Sequence, residues 1–150
     1  MKSPILLLLL ALGLLTSCST QPEPINYGTD VCHFCKMTIV SKTHAAQAVS
    51  NKGKQFKYDA IECMVNDLNM ENKAEMSILL VANYLNAGEM LPAEKATYII
   101  TPNIPSPMGG NLSATANNAD AEKLKAENGG ELFDWNALKN RKVQPNHGHH

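Results

Sequence analysis

The chain has 150 residues, 44% of them hydrophobic, with 13 basic and 14 acidic side chains and a formal net charge of −1. Charges of both signs are mixed along it, and the basic stripe that nucleic-acid binding requires is missing, so that class is set aside. The length suits one domain with a modest core.

The first element is an address. Lys2 gives a short basic start, residues 5–15 are apolar or small, and Leu15-Thr16-Ser17-Cys18 ends the run. This is the pattern of a cleaved export signal, and the apolar stretch falls short of the about 20 residues a membrane helix needs. The Leu-x-Ser-Cys ending resembles the lipobox of bacterial lipoproteins. That resemblance implies a signal peptide over 1–17, cleavage after Ser17 and a lipid on Cys18, leaving the protein anchored in the cell envelope and facing the periplasm. Ser19 in place of Asp favours the outer membrane over the inner. Residues 18–26, with Pro22 and Pro24, read as a lipidated tether. The folded domain is expected over 27–140, and 141–150 as a flexible tail whose His147, His149 and His150 attract metal but say nothing of the fold.

Within the domain, residues 44–49 and 55–58 are strand-like and flank Ser50-Asn51-Lys52-Gly53, a turn sequence, which predicts a hairpin. Asp59 and Glu62 have the spacing of a helix cap with an acidic residue at N3, and Ile61, Met64, Val65 and Leu68 follow as an apolar stripe. Residues 77–82 form an apolar run typical of a buried strand. The same order then recurs: a strand over 96–101, a Pro/Gly-rich loop, a strand over 111–114, a helix over 119–128 capped by Asn118 and ended by Gly129-Gly130, and a strand over 131–133. The expected class is α+β, with tandem ββαβ-like halves and small antiparallel sheets.

Chemistry concentrates at Cys32-His33-Phe34-Cys35-Lys36-Met37. With Cys18 assigned to the lipid, Cys32, Cys35 and Cys63 remain in an oxidising compartment, and three thiols cannot all pair. Thiolate and thioether sulfur together select Cu(I) among biological metals. If the segment is extended, Cys35 and Met37 point to one side and could share an ion; the competing reading is a Cys32–Cys35 disulfide with Met37 as core filler. Met108 lies in Pro105-Ser-Pro-Met-Gly-Gly110, where prolines fix the approach and glycines let the backbone turn away, a setting that suits an exposed ligand or simple packing. On a helix at 100° per residue, Cys63 falls roughly opposite the apolar stripe, which leaves it a ligand or a half-buried thiol. His44 could give a nitrogen ligand or be a hydrogen-bonded strand histidine.

These segments resemble the NosL family, the copper chaperone lipoproteins that serve nitrous oxide reductase. The resemblance rests on Asp30-x-Cys32-x-x-Cys35-x-Met37, His44-Ala-Ala-Gln47, Phe56-x-Tyr58-Asp59, Tyr98-Ile-Ile-Thr101, Pro107-Met-Gly-Gly110 with Leu112, and Gly129-Gly130 before Phe133-Asp134-Trp135. It implies a tandem ββαβ domain that binds Cu(I) through Cys35, Met37 and Met108, with Cys32 next in rank as a ligand or redox partner; Cys63 and His44 rank after these on their own positions in the chain, not on the resemblance. It implies delivery to nitrous oxide reductase or its maturation machinery without catalysis, and leaves a homodimer around copper as an arrangement to test. Two other classes compete: a thiol-disulfide oxidoreductase using Cys32 and Cys35, and a structural zinc site of Cys32, Cys35, Cys63 and His44. Both leave the two methionines without a role.

Overall fold

A computed structural model describes residues 20–70 and 74–144. The expected signal peptide, the expected lipidation site Cys18 and the three tail histidines lie outside the described residues. Among the described residues, seven strands and three α-helices follow in chain order: β1 (Ala46–Ser50), β2 (Gln55–Tyr58), α1 (Ile61–Leu68), β3 (Met76–Ala82), β4 (Met90–Pro92), β5 (Thr97–Ile100), β6 (Leu112–Thr115), α2 (Asn118–Asn128), β7 (Glu131–Phe133) and α3 (Trp135–Leu138). A 3₁₀ turn, Ala93–Lys95, sits between β4 and β5.

They form two antiparallel sheets, in strand order β2-β1-β3-β4 and β6-β5-β7. Each half therefore runs strand, strand, helix, strand, with its first strand in the centre and the post-helix strand returning beside it. The expected tandem ββαβ architecture is present; β4, the 3₁₀ turn and α3 are additions that the sequence pattern did not announce. The halves meet where Asn83, just beyond β3, bridges in parallel to Ala114 of β6, and Tyr84 N donates to Ala114 O at 2.8 Å.

Alternation along β1 and β2 explains the layering. Ala46, Ala48, Phe56 and Tyr58 turn one face of the first sheet to α1, whose Ile61, Met64 and Val65 are fully buried. From the other side Tyr98, Leu112 and Ala114 of the second sheet join the same core, with Trp135 and Leu138 of α3. α1 is thus covered by both sheets, and this is why Glu62, Cys63 and Asp67, off the apolar stripe, are buried as well. α2 covers the far face of β5 through Ala121 and Leu124 alone.

Three expectations need correction. Asp59 does not cap α1: the N-cap is Ala60, without a side-chain hydrogen bond, and Asp59 Oδ1 accepts from Val40 N at 3.0 Å, tying the end of the cysteine segment to the helix start. The second helix is capped by Asn117, not Asn118, with Oδ1 accepting from Asp120 N at 2.9 Å. Finally, the presumed tether is laid on the outer face of the first sheet from residue 21 onward. Gln47 Nε2 donates to Glu23 O at 2.8 Å, Gln55 Nε2 to Gln21 O at 3.0 Å and Lys57 Nζ to Pro24 O at 2.7 Å. Polar residues on that strand face, which would read as solvent-facing, instead bind a strap of backbone. The chain's other end behaves similarly: Val143, placed in the expected tail, is 5% exposed and is held at both backbone groups by the Asn66 amide, at 2.9 and 3.1 Å.

Candidate metal centre

The cysteine segment is a closed loop and not an extended strand. Val31 and Thr38 bridge antiparallel, Cys32 N donates to Met37 O at 2.8 Å, and Lys36 N returns to Cys32 O at 3.1 Å. Lys36 takes a left-handed backbone conformation, φ 65°, to make the reversal. The period-two argument that put Cys35 and Met37 on one side of a strand therefore does not apply. The loop docks on the free edge of β2: His33 N donates to Lys57 O at 2.8 Å, and the His33 ring meets Phe56 edge-on at 4.8 Å. Asp30 fixes its base, pairing with Lys57 at 2.7 Å and accepting from Asn26 N at 2.8 Å; the Lys57 ammonium holds the Asp30 carboxyl below the usual range.

This loop and α1 bring Cys32, Cys35 and Cys63 together, with their sulfurs all within 4.8 Å of one another. All three are free thiols, Cys32 and Cys63 buried and Cys35 partly exposed. Cys32 is the acidic member, lowered to about 5 by the hydrogen bond from Cys63, with the backbone amides of Asp59 and Cys35 adding to the effect and burial opposing it. Cys63 is pushed up because it keeps the proton it shares with Cys32, and burial raises Cys35. The hydrogen bond from Cys63 and the nearby backbone amides thus favour the thiolate form of Cys32, a good reception for a cation.

The donor set fits a soft monovalent ion. Metal–sulfur bonds of about 2.3 Å in a trigonal plane put sulfurs about 4 Å apart, which is compatible with three sulfurs all within 4.8 Å of one another. Met37 stands at the rim, 56% exposed, with its amide directed at the Cys35 sulfur. Met108 is half-buried against the main core, in a loop gripped by Glu62, the neighbour of Cys63 on α1. His44 is elsewhere: it is 6% exposed, Nδ1 lies 3.0 Å from both Ser41 Oγ and Thr43 Oγ1, and Nε2 lies 3.1 Å from Ser113 Oγ. It is a core histidine whose pKa burial lowers. Among the described residues the group of potential ligands is three cysteines without it, and the four-ligand zinc set loses its imidazole.

Two supporting residues escaped the sequence reading. Asp30 entered only as a motif letter, and Glu62 only as a helix-cap partner. For Glu62 a signal existed: a carboxylate directly before a cysteine on a helix that must bury both.

Comparison with curated protein sequences finds no match. Among solved structures, the crystal structure of the copper chaperone NosL from Shewanella denitrificans superposes with a TM-score of 0.68 at 17% identity, covering 79% of this chain and 95% of that one. At that identity the likeness is one of fold. The NosL family model matches residues 25–143, which takes in both sheets, the cysteine loop, α1, the Met108 loop and the pinned Val143. With all of those parts inside one continuous match, the chain belongs to the NosL family.

Proposed function

We propose that this protein binds Cu(I) at Cys32, Cys35 and Cys63, with thioether help from Met108 and Met37, and surrenders it for metal-centre assembly in nitrous oxide reductase. The observation that carries the reading is the spacing of the three sulfurs within 4.8 Å, at the junction of the cysteine loop and α1. Thiolate sulfur suits Cu(I), and three such ligands suffice for it, whereas structural zinc requires four. The site is graded from inside to outside: Cys32 and Cys63 are buried, Cys35 is partly exposed and Met37 is at the surface. A recipient's ligand can therefore attack the ion from the Cys35 side before the inner thiolates release it, and those thiolates regain protons as the ion leaves. The oxidoreductase reading fares worse, because the acidic Cys32 is 0% exposed, whereas an attacking thiolate must be reachable by its substrate.

The setting proposed is the cell envelope, with the chain anchored by a lipid on Cys18 and facing the periplasm; the Leu15-x-Ser17-Cys18 sequence supports it. The recipient proposed is the reductase itself or its maturation machinery, on the strength of the family.

The test is an anaerobic titration of reduced protein with Cu(I) against a competing chelator. One copper per chain is expected. Cys63→Ser should weaken it by more than about tenfold, since losing a ligand costs at least what losing a ligand's partner does, with smaller losses for Met108→Ala and Met37→Ala. Wild-type affinity in Cys63→Ser would remove the three-thiol site.

A further inference from the structure

Glu62 is 2% exposed and lies beside Cys63, in the first turn of α1. Burying a carboxylate is costly unless it is used, and an apolar residue of similar volume would fill the space more cheaply. Its partners are unusual in coming from one short loop of the other half. The Ser106 hydroxyl donates to Oε1, Gly110 N donates to the same oxygen at 3.2 Å, and the Met108 amide faces the carboxyl as well, while burial, the largest influence, raises its pKa. Ser106 Oγ in turn accepts from Asn111 N at 2.8 Å, so the tip of the loop is braced through the same point. Among the described residues, hydrogen bonds that leave 106–110 for another element end on Glu62.

The approach is close enough to dictate sequence. A Cβ on Gly110 would stand 3.0 Å from Glu62 Cγ and Cδ and 2.9 Å from Val143 Cγ1. Val143 is itself held by Asn66, one turn further along α1. Glu62, Cys63 and Asn66 thus make α1 a bracket that clasps the Met108 loop, carries a thiol and fixes the C-terminal segment beside that loop.

We propose that Glu62 is the positioning residue that sets the Met108 loop against the helix carrying Cys63, so that a thioether from the second half reaches the thiols of the first. The inference rests on Met108 serving the copper site as proposed above. Glu62 does not touch the ion; it fixes where one ligand is presented.

The test uses the full chain, reduced and anaerobic, with Cu(I) affinity from chelator competition and the sulfur count around copper from X-ray absorption at the copper edge. Glu62→Ala and Ser106→Ala should each weaken binding by about tenfold, the range found when the partner of a metal ligand is removed. Both should lose one sulfur, as Met108→Ala does. Adding Met108→Ala to either should cost nothing more, since each already forfeits the same ligand. Glu62→Gln, which keeps an acceptor for Ser106 and Gly110, should recover most of the affinity. If Glu62→Ala fails to fold by circular dichroism, Ser106→Ala carries the comparison with Glu62 in place. A wild-type sulfur count in Ser106→Ala and Glu62→Ala, or losses that add to that of Met108→Ala, overturns the positioning role alone. An unimpaired Met108→Ala overturns the ligand reading, and the positioning role with it.

Discussion

His44 shows how a residue type suggestive of metal becomes structural once its surroundings are fixed. Both ring nitrogens face hydroxyl groups, the ring lies against Tyr84 at 5.7 Å, and burial holds its pKa below the ordinary 6.5. A depressed histidine favours the neutral ring in the fold, while the unfolded chain takes up a proton near pH 6.5. Its contribution to stability is therefore complete above that value and is lost as pH falls through it. Between about pH 7.5 and 5.5, the wild type should lose stability more steeply than His44→Asn, by at most about 1.4 kcal/mol per pH unit for one proton. Urea unfolding at both pH values checks it, and equal slopes would refute the assignment. The cysteines make the converse point. Cys63 falls away from the apolar stripe of α1, yet it is 1% exposed, because the helix is covered on two sides by sheets that its own periodicity does not register.

Among elements, the junction of α2 and β7 is where local sequence and long-range packing can be separated. Gly129 and Gly130 both have positive φ, 69° and 101°, and the pair was legible as a helix stop. Their environments differ. A Cβ on Gly129 meets nothing within 4 Å, whereas one on Gly130 would lie 2.4 Å from Ile100 O and 2.7 Å from Thr101 Cβ, where β7 pairs with β5. Gly129→Ala should cost about 2 kcal/mol from backbone conformation alone. Gly130→Ala should cost at least about 1–3 kcal/mol beyond that, because strand β7 must shift. Chemical denaturation of the two variants distinguishes them; equal losses would mean the close approach is relieved at no expense. The caps carry the same lesson. Asn117 and Asn118 are equivalent as letters, and the choice of Asn117 follows from where β6 ends and the chain turns, with Thr115 Oγ1 donating to Asn117 O at 3.0 Å.

For the whole molecule, the strap and the C-terminal segment decide how large the domain is. Composition marks 18–26 as a linker through Pro22 and Pro24, but Gln47, Gln55 and Lys57 hold residues 21–24 on the sheet. A chain beginning at Tyr27 should be less stable than one beginning at Thr20 by about 2–4 kcal/mol, taking about 1 kcal/mol net per lost hydrogen bond. Coincident urea midpoints would show the strap to be ornamental. What the sequence determined by itself was everything set by neighbours along the chain: the ββαβ order in each half, the hairpin turn, the glycine stop and the concentration of sulfur at residues 32–37. Tertiary structure alone decided which residues share a site. Cys63 joins Cys32 and Cys35 only because α1 is packed under the cysteine loop, and Glu62 meets Met108 only because the second sheet closes over α1. Periodicity reports the face a helix turns to its first neighbour; it holds no record of a second one arriving from 40 residues further on, as the Glu62–Ser106 contact at a separation of 44 illustrates.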